Sequence, residues 1–264
     1  LREQNFNTLQ TNGARAALRF DLNDRWTITP TLAWQEQNAD GSWASMPALG
    51  ERQVARYFAE SNDDRWTQAA LTVEGRIGRF DVLYSGGYLD RSIDNTADYS
   101  DYSYYYDVLY PGYFGNYFLD NDGAVIDPSM YTRNHDAFTK QTHELRISSP
   151  QDARARFVAG LFWQRQTNDT YNAYRVDGLA DDLSITGQPG VNYLNSQERV
   201  DLDRALFAEG AFDFTPAWTL TLGARLFDYD NSVLGFFGYG PSHVSQVGEG
   251  ADSPAPCFAD SITA

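Results

Sequence analysis

Arg204–Asp230, RALFAEGAFDFTPAWTLTLGARLFDYD, reads on two faces at once. Every second residue gives Leu206, Ala208, Gly210, Phe212 and Phe214, then after a turn Trp218, Leu220, Leu222, Ala224 and Leu226. The residues between them include Phe207, Glu209, Asp213, Thr219, Thr221, Arg225 and Phe227. One face is apolar throughout, and the other mixes charge, hydroxyl, small residues and aromatics. Alternation with a period of two is the mark of a strand. Thr215-Pro216-Ala217 places a proline at a turn position between the runs, so the two form a hairpin. Each arm exceeds the usual strand of about 5–6 residues and matches the ~9–11 tilted residues that cross a bilayer.

The same pattern extends outward through the chain. Ala14, Ala16, Leu18, Phe20 and Leu22 face one way, Asn23-Asp24 turns, and Trp26, Ile28, Pro30, Leu32 and Trp34 return. Pro30 costs the paired strand one ladder bond. Further strands are expected over 65–77, from Phe80 through Tyr88, over 138–149 and from Ala155 through Trp163. The turns fall at 23–24, 78–79, 150–154 and 215–217. The long connections fall at 38–64, 92–137 and 169–199, with a polar stretch over 231–264. Short and long alternate without exception, which puts every long loop at one end of an antiparallel sheet. Outer-membrane barrels sort their loops this way. The expected fold is all-β, an antiparallel transmembrane β-barrel segment of about eight strands. The inward faces are polar with few bulky plugs, so these strands read as one arc of a wider barrel.

Composition agrees with that class. The 264 residues include 17 Tyr, 16 Phe and 6 Trp, an aromatic content suited to interface girdles. Mean hydropathy is −0.51, and no apolar run reaches the ~18 residues of a membrane helix. A net charge of −16 opposes binding to nucleic acid. A single cysteine, Cys257, excludes an internal disulfide framework and leaves pairing with a cysteine elsewhere open. The sequence starts at Leu1 without a signal peptide, which reads as a fragment or a processed piece.

Two hairpins carry a family resemblance. Lys140–Pro150, KQTHELRISSP, with Arg156–Trp163, RFVAGLFW, resembles a hairpin of TonB-dependent outer-membrane receptors. Ala205–Glu209 with Trp218–Arg225 is similar to the hairpin that follows it in that family. The resemblance covers about residues 12–230. It implies the middle portion of a barrel of about 22 strands. Residues 1–264 are then a partial barrel domain without plug domain, N-terminal signal or C-terminal strands. It also implies energised uptake of a scarce nutrient, first an iron–siderophore complex. The implied partners are outer-membrane lipid and lipopolysaccharide, the TonB energy-coupling complex through the plug, and the small ligand. An oligosaccharide cargo stays open, as does a non-transporting barrel with adhesive loops. An outer-membrane enzyme has no supporting motif: no nucleophile elbow, phosphate loop or catalytic constellation occurs.

The candidate ligand surface is the segment 92–137, with eight Asp against one Arg, and nine Tyr. Tyr99, Tyr102, Tyr104, Tyr105, Tyr106, Tyr110 and Tyr113 offer rigid contact area with a hydrogen-bonding tip. They could equally pack on each other under a solvated loop. Arg19, Glu74, Arg146, Glu209 and Arg225 are expected to line the lumen, where pairing across strands competes with contact to substrate or plug. No metal or cofactor is expected. His135, His143 and His243 have no ligand spacing. Asp120-Asn121-Asp122-Gly123 starts like a calcium loop but lacks the closing Glu. His143 is expected at the apolar face or its boundary.

Overall fold

Alternation drives each run into extended backbone, and the short turns bring successive runs together as antiparallel neighbours. The result, seen in a computed structural model that describes residues 4–109 and 118–242 (side chains of 106–109 excepted), is one nine-stranded sheet. Its strands are β1 (Thr8–Ala17), β2 (Phe20–Asn23), β3 (Trp26–Asp40), β4 (Ser61–Ile77), β5 (Phe80–Asp98), β6 (Met130–Ser148), β7 (Ala155–Val176), β8 (Val191–Thr215) and β9 (Trp218–Tyr239). They pair in chain order, with β1 and β2 sharing β3 as partner. A helix, α1 (Ser100–Leu109), follows β5.

Alternation predicts eight arms and nine strands are found, and Pro30 is the reason. Leu18 still donates its N–H to the Pro30 carbonyl at 3.1 Å. Proline has no N–H to return, so the ladder breaks at Leu18–Arg19 while the register on either side is unchanged.

All the connections 41–60, 99–129 and 177–190 leave one end of the sheet, and the four turns leave the other. The long connections are much shorter than alternation implies. Residues 92–98 and 130–137, expected as loop, are strand, as are 169–176, 191–199 and 231–239. The extensions before β9 are largely polar on both faces, and 231–239 carries apolar residues on both, Val233 and Phe237 on one and Leu234 and Phe236 on the other; either way the alternation signal is lost. Backbone pairing continues there because the ladder depends on N–H and C=O groups, not on side-chain hydropathy.

Pairing carries one apolar row across the sheet: Phe20, Ile28, Val73, Tyr84, Leu145, Leu161, Leu206 and Leu226. The apolar band around this row runs obliquely to it. Its loop-side edge is Trp34 on β3, six residues beyond the row, but Leu206 on β8, in the row itself, because Arg204 follows. Tyr88 on β5 and Trp163 on β7 lie between those extremes. Six residues at about 3.3 Å, across five strand steps of about 4.8 Å, make an angle of about 40°. The turn-side edge runs from Trp26 to Trp218 and is also displaced by six residues, over six steps, which gives about 35°. Strands of membrane barrels tilt by about 35–45° to the membrane normal.

That band is uncovered. Leu18, Leu161 and Leu222 are 59%, 56% and 69% exposed. The buried hydrophobic residues gather at the loop end instead, in a cluster of Phe118, Met130, Val176, Leu179, Ala180 and Leu183 and a smaller one around Ile185 and Val191. A sandwich would bury its apolar face under a second sheet; here none lies over it among the described residues.

Two glycines set close packing within the sheet. Trp26 lies over its paired Gly75, and Phe207 over its paired Gly160, aromatic rings covering the missing side chain. A Cβ at Gly160 would stand 2.5 Å from the Phe207 ring and 2.7 Å from the Leu145 carbonyl. Gly160→Ala is therefore expected to cost about 1–3 kcal/mol. Gly210→Ala, whose Cβ would meet only the Arg156 carbonyl at 3.8 Å, is expected within about 0.5 kcal/mol of the parent. Urea unfolding followed by tryptophan fluorescence measures both.

Candidate functional site

The loop end is built on carboxylates. Asp98, the last residue of β5, accepts the Ser100 N–H at 2.9 Å through Oδ1 and so caps the approach to α1. Its Oδ2 accepts the N–H groups of Tyr57 and Phe58 from the connection 41–60. Arg56 ties the same connection to Glu60 at 3.3 Å and to Asp101 of α1 at 3.1 Å. Tyr57 stacks on Tyr104 at 5.4 Å. One carboxylate thus holds a loop and a helix together.

The tyrosines of 99–113 divide into separate roles. Tyr99 and Tyr102 pack on the larger buried cluster and contact each other at 5.0 Å. Tyr104 donates its hydroxyl to Asp127 at 3.2 Å. Tyr105 is 59% exposed. Tyr106 belongs to α1, but its side chain, and the whole of Tyr110 and Tyr113, lie outside the described residues. Cys257 and His243 lie outside them too. Sequence pattern does not disclose the helix, because a run of tyrosines with acids has no apolar stripe to announce it. The calcium-like segment is a turn: Asp120 accepts the N–H of Asp122 at 3.0 Å and of Ala124 at 2.8 Å, with Gly123 at φ +78°. Its first carboxylate serves its own backbone.

Register places Arg19, Glu74, Arg146, Glu209 and Arg225 together on the polar face. Arg19 pairs with Asp21 at 3.0 Å, Arg225 with Asp203 at 3.6 Å, and Arg146 with Glu144. Arg146 and Arg225 also lie over Phe207 and Phe162, at 5.9 and 5.3 Å. Glu74 and Glu209 form no ion pair among the described residues. Arg146, Glu209 and Arg225 line one open concavity of about 510 Å³ with Val158, Phe207 and Gly223. On the opposite face, beyond the apolar band, Asp94 binds His135 at 2.7 Å and Arg65 at 3.7 Å. A second concavity there, of about 330 Å³, is walled by Asp63, Asp94, Arg133, His135 and Tyr171. His143 sits at the edge of the band, its Nδ1 2.6 Å from the Tyr84 hydroxyl and its ring against Trp163. No group of three metal-ligating side chains occurs among the described residues.

Two further rows on the polar face emerge only from the pairing. Asn62, Asn95, Asn134, Asn172 and Asn195 stand in register across five consecutive strands. Two residues nearer the loops, Tyr174, Tyr193 and Tyr239 form a second row, with ring contacts of 5.3 and 4.9 Å. Tyr99 closes on Tyr174 at 5.0 Å. The asparagines are spread over 134 positions of sequence, from Asn62 to Asn195, so no linear motif could show them.

Asp127 gives the loop end a pH dependence. The Ser129 hydroxyl and N–H, at 2.6 and 2.8 Å, hold its carboxyl below the ordinary value of 3.8, with help from Tyr104. A depressed folded value stabilises the loop above the unfolded value and is lost as pH falls through the folded one. Hydrogen exchange at the Ser129 amide is expected to accelerate below about pH 4, and Asp127→Asn to remove that dependence.

No protein-family model and no curated protein sequence matches the chain. Among solved structures, it is similar to the crystal structure of the ferric yersiniabactin uptake receptor FyuA from Yersinia pestis, at 10% identity and a TM-score of 0.59. The likeness covers 85% of this chain and 34% of that one, so the chain spans about a third of that receptor's length. What is shared is the fold, an arc of antiparallel β-barrel.

Proposed function

We propose that this chain is an arc of a TonB-dependent outer-membrane receptor that takes up a scarce solute. The observation that carries the reading is the oblique, uncovered apolar band. A flat hydrocarbon slab crossing strands tilted by about 35–40° must select such a band, stepped against the pairing rows. The sorting of long loops to one end, the loop-end core and the likeness in fold support it further. No helix among the described residues is long and apolar enough to cross a membrane, and strands crossing in a barrel need none.

In this reading Leu18, Trp34, Leu71, Leu161, Phe212 and Leu222 face lipid, with lipopolysaccharide beyond the loop-side edge. Arg19, Thr29, Thr72, Arg146, Glu209 and Arg225 face the lumen. A plug inside the barrel connects uptake to the inner-membrane energy-coupling complex. An iron–siderophore complex is the cargo class that the family resemblance implies, and the similar receptor takes up ferric yersiniabactin. An oligosaccharide is the second reading, favoured by the asparagine and tyrosine rows.

Deleting the gene in its native host and following uptake of a labelled cargo tests the reading. Uptake lost on deletion, and abolished in the parent by a protonophore, is the expected result; protein recovered outside the outer-membrane fraction would sink it. On the same reading, Leu222→Arg is expected to lower folding stability in lipid by about 2–4 kcal/mol. Its neighbour Thr221→Arg, pointing to the lumen, is expected to be much better tolerated. Equal losses would contradict the facing of β9.

A further inference from the structure

Asparagine is depleted in strands, yet five consecutive strands each present one at the same level of the polar face: Asn62, Asn95, Asn134, Asn172 and Asn195. Strand formation does not ask for them. At about 4.8 Å per strand the row is about 19 Å long. Each carboxamide offers one acceptor and two donors.

The row does not satisfy itself. Asn134 donates to Asn95 Oδ1 at 3.0 Å, and Asn95 donates to the Ser61 carbonyl at 3.1 Å. The Oδ1 atoms of Asn134 and Asn195 are sheltered and have no donor among the described residues. A sheltered carbonyl oxygen without a donor is unfavourable. Toward the loops, Tyr174, Tyr193 and Tyr239 present aromatic surface, and Tyr239 is 43% exposed. Toward the turns, the next row contains Asp64 and Asp136, and Asp64 is held by Arg91 at 2.6 Å.

We propose that the two rows form a strip that binds a neutral, hydroxyl-rich chain, an oligosaccharide. Sugar hydroxyls both donate and accept, which matches a line of carboxamides. The C–H face of a sugar ring lies against an aromatic ring, as the tyrosine row provides. No charge stands in either row across β7 and β8, and a chain of net charge −16 disfavours an anion. The strip rests on the receptor reading for its purpose and favours the second cargo class of that reading, the oligosaccharide, over the first.

The test uses the whole receptor of which this chain is proposed to be an arc, purified in detergent and titrated calorimetrically with neutral hexasaccharides of glucose, mannose, xylose and N-acetylglucosamine. At least one is expected to bind. Combined Asn134→Ala, Asn172→Ala and Asn195→Ala is expected to weaken it tenfold or more, and Tyr193→Ala likewise. Circular dichroism reports whether each variant keeps its sheet. Should the triple variant unfold, the single changes Asn195→Ser and Tyr239→Ala carry the test, each expected to weaken binding at least threefold. Asp24→Asn, in the turn between β2 and β3 at the far end of the sheet, is expected to leave saccharide affinity unchanged. Binding of none of the four, or affinity unaltered by the asparagine and tyrosine changes, overturns the strip. A chain that fractionates with the outer membrane yet binds no saccharide overturns the strip alone, whereas a chain found outside that membrane overturns the receptor reading.

Discussion

The hydrogen-bond ladder between neighbouring strands is the constraint on which everything else depends. It asks only for extended backbone with N–H and C=O groups in register, and it accepts any side chain but proline. That indifference lets β8 run for 25 residues, from apolar flank to polar extension, without a break. It also lets the two faces specialise independently at each level. The apolar band, the charged rows of the polar face and the asparagine row are successive levels of one ladder. Where the ladder lacks a donor, at Pro30, a strand divides but the register on both sides holds.

How much of this could be read in the sequence follows from where alternation is visible. Across the band, Leu206 through Phe214 and Trp218 through Leu226 announce both strand and face, and the four turns lie within a residue or two of their expected positions. The arc of a barrel was therefore legible. Beyond the band both faces are polar on most strands, as at Asp63-Asp64 or Asn134-His135-Asp136, and the signal vanishes although the strand continues. Those extensions resemble loop in sequence for that reason alone. The helix α1 is hidden differently, since its start depends on Asp98 serving as a cap and a loop anchor at once.

The proposed strip differs in origin from the tyrosine-rich segment that the sequence singles out. Tyrosines near the loop end do gather, but Tyr99 and Tyr102 are spent on packing and Tyr104 on Asp127. The residues best arranged for contact come from the strands: Asn134, Asn172 and Asn195 lie in three different arms and meet only through register. No reading of linear spacing could place them side by side. By contrast, Arg146, Glu209 and Arg225 fall on one face by parity, and parity needs no knowledge of register. Their meeting in one concavity needs the pairing as well.

The edges of the sheet bear on the membrane reading most directly. Among the described residues, β1 and β9 each have one partner, so an entire side of each strand is unpaired. For β9 that side belongs to a strand of 22 residues whose Leu220, Leu222 and Leu226 lie in the apolar band. In water such an edge invites another chain. In hydrocarbon it is untenable, because each unsatisfied backbone group costs several kcal/mol. A barrel arc placed in a bilayer therefore demands that both edges continue into further paired strands. The demand is matched to the tilt: a neighbour of β9 must carry its apolar residues displaced by about one position toward the turns, following the step of the band. A strand with apolar residues at the level of Leu226 and none near Trp218 would not fit beside it.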